Sequence, residues 1–176
     1  MNLQLIGFTH VVTRAGSAFG FSVAVVTFMA IYFAGGRTRE ALKDKTVWRP
    51  WLMCALTMVL ASAVTGGYIG GLAAAVTGTG NSMGQAIGHE AVGQDGAGAV
   101  KVSIPHTLSY PGSWLVLVMV IGVGMFLYHA KGWRERLLGA SGALTGATWG
   151  IAGGLGGLPA AVGVPLVSWI ADLVIG

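Results

Sequence analysis

The residues best suited to chemistry gather in one polar stretch. His89, Glu90, Asp95 and His106 are the side-chain types that hold transition metals. Two ligands on one helix face need a spacing such as HExxH, and His89-Glu90 is not followed by one. The expectation is a solvated loop with no metal site. Nearby, Gly78-Thr79-Gly80-Asn81-Ser82-Met83-Gly84 has the glycine content of a phosphate loop. No Lys-Ser/Thr pair follows it, so it reads as a flexible helix break.

The remaining candidates sit in or beside apolar runs. Asp172 and His129 fall near the ends of such runs, where an ionisable side chain reaches the interface instead of serving as an ion or proton site. Cys54 is the single cysteine, so one chain can form neither a disulfide nor a cysteine-based metal centre. It lies inside a long apolar run, where a thiol is unreactive. No Ser–His–Asp arrangement stands out. An enzyme is therefore the least supported class, and no cofactor is expected.

The elements that would position these residues are membrane helices. The chain has 176 residues, of which 10 are Lys or Arg and 6 are Asp or Glu, with 54% apolar residues and 30 glycines. That charge content, 9%, is far below the roughly 25% of a soluble domain. Four stretches, 15–36, 50–89, 102–130 and 137–171, carry no Asp, Glu, Lys or Arg, and each is long enough to cross a bilayer. The fold expected is an all-α polytopic membrane bundle of about four spans.

The segments divide as follows: an amphipathic stub over 1–14, TM1 over 15–36, a basic loop over 37–50, TM2 over 51–77 and a polar outer cap over 78–112. TM3 then covers 113–130, a basic turn 131–136, TM4 137–158, and an apolar piece 159–176 is a short fifth span, a re-entrant segment or an interfacial helix. TM1 would be about 33 Å long, matching the hydrocarbon thickness. A cleaved signal peptide is the competing reading of its sequence.

Charge sets the orientation. The net charge is +4, yet the basic residues form no distributed surface that could follow a phosphate backbone, so direct nucleic-acid binding is not expected. Eight of the ten lie in two segments: Arg37, Arg39, Lys43, Lys45 and Arg49, then Lys131, Arg134 and Arg136. The positive-inside rule places both in the cytoplasm of a plasma-membrane protein, with the N-terminus and 78–112 outside. TM1–TM2 and TM3–TM4 become two hairpins of the same orientation. This is the plan of a parallel internal repeat, although residue identity between the halves is low.

The strongest local pattern is a ladder of small residues. Gly142, Gly146, Gly150 and Gly154 recur every four positions in TM4, and Ser62, Gly66, Gly70, Ala74 and Gly78 do so in TM2, beside Ala63, Gly67, Gly71 and Ala75. Four residues advance 400°, so such a stripe drifts about 40° per step and stays on one helix face. Lipid offers little hydrophobic drive between helices, and small residues supply close backbone contact instead. Packing within one chain is one reading of these ladders. The favoured one makes at least one of them a contact between subunits, with Gly66, Gly70, Gly142, Gly146, Gly150 and Gly154 as the oligomerisation residues.

The expected function is a non-enzymatic membrane subunit that homo-oligomerises, and meets other membrane proteins, inside a larger assembly of the secretion, conjugation or membrane-filament type. A hairpin with external ends and a basic cytoplasmic turn resembles the plan of conjugative pilin subunits. The alternative is a small oligomeric channel, holin or transporter subunit. A pore needs a polar stripe, and only Ser62, Thr65, Thr77, Ser141, Thr145 and Thr148 could provide it.

Overall fold

The computed structural model describes residues 11–34, 45–64, 66–94, 96–100, 108–130, 132–152 and 157–175. Its fold is all-α, and the described residues form six α-helices: α1 (Arg14–Ala34), α2 (Lys45–Ser62), α3 (Gly67–Ile87), α4 (Tyr110–His129), α5 (Trp133–Ala147) and α6 (Leu158–Ile175). A π-helical turn, Gly88–Val92, extends α3, and a 3₁₀ turn, Trp149–Ile151, follows α5. Three helices, α1, α4 and α6, are each long and apolar enough to cross a membrane, and α2 with α3 forms a fourth candidate that is sharply bent.

That bend is the main departure from the expected TM2 over 51–77. Helix α2 stops at Ser62, α3 starts at Gly67, and the two axes meet at 114°. Gly66 and Gly67 take φ of 109° and 66°, a left-handed pair that residues with a Cβ rarely adopt. Hydropathy carries no trace of this turn, because glycine and alanine score as apolar on either side of it.

TM4 also resolves differently. Helix α5 starts at Trp133, inside the expected basic turn, and ends at Ala147, so at 15 residues it is too short to span. Thr148 folds its hydroxyl back onto the Leu144 carbonyl (2.7 Å) and the chain tightens into the 3₁₀ turn. The apolar 159–176 segment becomes α6, a helix of spanning length that accommodates Pro165. Of the expected cap over 78–112, the part up to Val92 is helical, as α3 and its π turn, and α4 begins at Tyr110.

The six helices form two halves of one plan, α1–α2–α3 and α4–α5–α6. At the centre α2 and α5 run parallel: Trp51 lies against Gly142, Ala55 against Gly146 and Val59 against Gly150, each pair 91 positions apart. The outer contacts repeat across that pair. Helix α1 packs on α3 as α4 packs on α6; α1 meets α5 as α4 meets α2; α2 meets α6 as α5 meets α3. This is the pattern of contacts that two parallel repeats related by a two-fold axis along α2–α5 would make.

Each half opens with the same cap. Thr13 Oγ1 accepts from the Gly16 amide (3.0 Å), and Ser109 Oγ accepts from the Gly112 amide (3.3 Å). Gly16-Ser17 and Gly112-Ser113 stand 96 positions apart, and that spacing also aligns Met29 with Met125 and Tyr32 with Tyr128.

Candidate functional site

Two surfaces decide what this molecule can do: the α2–α5 contact on the axis and the outer face of α3. On the axis the α5 glycines are spaces taken up by a neighbouring backbone. A Cβ on Gly142 would strike the Trp51 carbonyl oxygen, one on Gly146 the Ala55 carbonyl oxygen, and one on Gly150 the Val59 side chain. The TM4 ladder is thus engaged within the chain as far as Gly150. Gly154 lies outside the described residues. Gly139 extends the contact, with Cys54 Sγ and Leu127 closing over it.

Hydroxyls lock the helices around this pair. Thr145 Oγ1 donates to the Ser141 carbonyl of its own helix at 2.8 Å and packs 3.3 Å from the Gly20 carbonyl of α1, and Thr77 Oγ1 of α3 donates to the Ala147 carbonyl at 2.9 Å. Thr148 is fully buried where Gly20 and Gly80 converge, and a Cβ on either glycine would meet it. Thr145, Thr148 and Thr77 therefore knit helices together and line no open channel. Ser62 bonds the Met58 carbonyl, and Ser141 bonds the Leu138 carbonyl; Thr65 lies outside the described residues. Thr57 Oγ1 and Trp51 Nε1 are buried with no hydrogen-bond partner.

Helix α3 uses its small residues differently from the expected ladder. Its buried stripe is Gly70, Ala73, Thr77, Gly80 and Gly84, alternating steps of three and four. Gly84 sits against the Ala15 carbonyl and Gly16 against Asn81. Gly66 packs on nothing within 4 Å and serves the turn. On the opposite face Gly67, Gly71 and Gly78 have open space where a Cβ would stand, and Ala75 between them is exposed. Asn81 ties α3 to the start of α1, accepting from the Thr13 amide (3.0 Å) and hydroxyl (3.1 Å) and donating to the Val11 carbonyl (2.8 Å). Its counterpart 91 positions on is Asp172, which accepts from Ser109 Oγ at 3.0 Å.

The chemically capable residues do not assemble. His89 and Glu90 are exposed on the π turn, while Asp95, Lys101 and His106 lie outside the described residues. Among the described residues no three His, Cys, Asp or Glu side chains gather as a metal site would require. Asp172 is exposed and occupied with Ser109. His129 Nδ1 lies 2.9 Å from the Met125 carbonyl, so that nitrogen carries the proton. Gly80-Asn81-Ser82-Met83-Gly84 spells Gly-X-Ser-X-Gly, the sequence of a nucleophile elbow, contrary to the expectation that the chain holds none. Here it is a turn of α3 and not a strand-to-helix elbow, and Ser82 donates to the Gly78 carbonyl at 3.0 Å.

Four of the five described basic residues fall at one end, and Arg14 stands at the other. Lys45 and Arg49 open α2, and Arg134 and Arg136 open the parallel α5; Arg37, Arg39, Lys43 and Lys131 lie outside the described residues. Phe28, Trp48 and Trp51 stack there with ring centroids 4.6 to 6.1 Å apart. Comparisons of the chain with protein-family models, curated proteins and solved structures give no match.

Proposed function

We propose that this protein is a non-enzymatic integral membrane subunit, one building block of a larger assembly of the secretion or conjugation kind, joined to other helices through the outer face of α3. The observation that carries this reading is the open small-residue face of α3, where Gly67, Gly71 and Gly78 have nothing within 4 Å of a Cβ position. A helix gives up side chains in lipid where a second backbone approaches closely. On α5 that backbone is α2; on α3 none of the described residues supplies one. The second copy of this chain, or a partner helix, fills the role.

The channel or transporter reading draws on the parallel repeat, a plan that transporters share. Transporters of that plan bind substrate at the interface between repeats, and here the α2 and α5 backbones meet along that axis at Gly142 and Gly146. The contact leaves no room for a solute. With the basic ends of α2 and α5 in the cytoplasm, the α2–α3 turn lies toward the outside.

The test is cross-linking in native membranes on a Cys54→Ser background. Gly71→Cys or Ala75→Cys on α3 should give disulfide-linked dimers or larger species. Val162→Cys, 66% exposed on α6, is the lipid-facing control and should not. A monomeric mass with no cross-link on α3, together with ion flux in liposomes, would transfer the reading to a channel.

A further inference from the structure

The outer side of α1 carries two grooves laid end to end. The first, of about 670 Å³, runs between α1 and the end of α3 with its π turn; Ala18, Ser22 and Val26 line one wall and Ile87 and Val92 the other, with Arg14 at its mouth. The second, of about 540 Å³, runs between α1 and the start of α5; Ala30 and Leu137 line it, with Trp133 and Arg134 at its mouth. Both include Val26 and Thr27, near the middle of the 21-residue α1. Each volume lies within the range of a small-molecule site, roughly 300–1,000 Å³.

Helices α1 and α5 run antiparallel, because Ile31 packs by Leu138 while Gly20 meets Thr145 and Thr148. Arg14 and Arg134 therefore stand at opposite ends of a helix about 31 Å long, the thickness of a bilayer's hydrocarbon core. Both side chains are exposed. Each groove thus has a cation at a membrane surface, apolar walls below it, and a floor that ends near mid-bilayer. That is the shape and polarity of one phospholipid in each leaflet, chains inward and phosphate outward.

We infer that the α1 face binds two anionic phospholipids, one per leaflet, with the phosphates on Arg14 and on Arg134. A helix from another protein would fit the apolar walls, but it would not use a single cation at each end. The inference rests on α1 crossing the membrane and is independent of the assembly through α3, whose open glycines do not line either groove. Basic pockets between transmembrane helices take anionic head groups in this way, each Arg contributing about 1 kcal/mol, or roughly a fivefold change in affinity.

The experiment is native mass spectrometry of the full chain in mild detergent, titrated with phosphatidylglycerol or with phosphatidylcholine of the same acyl chains. The expected result is two phosphatidylglycerols bound in preference to phosphatidylcholine. Arg14→Gln and Arg134→Gln should each weaken one of the two by about fivefold, and the double variant should erase the preference. Both arginines are exposed, so neither change threatens the fold. Ser22→Trp and Ala30→Trp, which fill the two grooves without touching charge, should each remove one lipid. Equal binding of the two lipids, arginine variants that change nothing, or cross-linking of Ala30→Cys to a second chain would overturn the inference.

Discussion

The two halves share one plan and differ in bulk where they touch. Along the axis α2 brings Trp51, Ala55 and Val59, and α5 answers with Gly142, Gly146 and Gly150. A symmetric pair with side chains on both sides would hold the backbones apart. Here one half has given up its side chains, so two parallel helices meet backbone to backbone. A backbone-to-backbone contact thus lies between the two halves, where a transporter of the same plan would need space.

The half that gave way is the one most easily broken. Gly146→Leu forces a branched side chain into the Ala55 carbonyl and backbone, which no rotamer avoids. Overpacking of a few methylenes costs roughly 1–3 kcal/mol, and a contact with rigid backbone belongs at or above the top of that range. The expected outcome is loss of monodisperse protein in detergent. The reciprocal change, Ala55→Gly, adds no atoms and should leave the protein folded. If Gly146→Leu instead gave a stable monomer and lost only its oligomers, the α5 ladder would be intermolecular after all.

The ties at the ends of the halves separate next. Asn81 makes three hydrogen bonds to residues 11–13, and Asn81→Ala leaves the Thr13 amide and the Val11 carbonyl without those partners. A buried group left unsatisfied costs about 1–3 kcal/mol, so the melting temperature should fall and exchange at the α1 N-terminus should speed up. Asp172→Ala, at the exposed counterpart, should do less. Equal losses at the two positions would mean that exposure makes no difference between the halves.

Much of this architecture was legible in the sequence, and what was not has specific causes. The all-α apolar character, the spanning length of α1 and α4 and the two basic ends follow from hydropathy and charge alone. The break between α2 and α3 did not, because it depends on positive φ at Gly66 and Gly67 and not on any change of polarity. The every-fourth-residue rule drew Gly142, Gly146 and Gly150 on one face, and on α3 it drew Gly67, Gly71 and Ala75, which form the exposed side of that helix. There the buried positions Gly70, Ala73, Thr77, Gly80 and Gly84 follow alternating steps of three and four, and alanine and threonine complete the pattern. Glycine spacing reports where a close approach is possible; what approaches is a matter of tertiary contacts. The tie between Asn81 and Thr13 joins residues 68 apart in sequence and has no local signal.

The open face of α3 should respond with the opposite sign to α5. Gly78 has nothing within 4 Å of a Cβ, so Gly78→Ala meets no clash and gains helix propensity, about 0.8–1.0 kcal/mol in a helix interior. A rise in the thermal midpoint of the detergent-solubilised monomer is expected, whereas Gly142→Ala, whose Cβ would meet the Trp51 carbonyl, should lower it. A fall for Gly78→Ala as well would show that α3 is already covered in the purified protein.

The smallest effect is expected at Asp172. The structure uses this carboxylate as an acceptor for Ser109 Oγ, and an amide oxygen accepts the same bond. Asp172→Asn would also place in the second half the residue that the first half carries at Asn81, 91 positions earlier. An exposed substitution that preserves its hydrogen bond should stay within about 0.5 kcal/mol in thermal unfolding and leave assembly in membranes unchanged. Loss of function with stability intact would mean that the charge itself is used. The second half would then differ from the first in chemistry as well as bulk, with Asp172 as an ion or proton site.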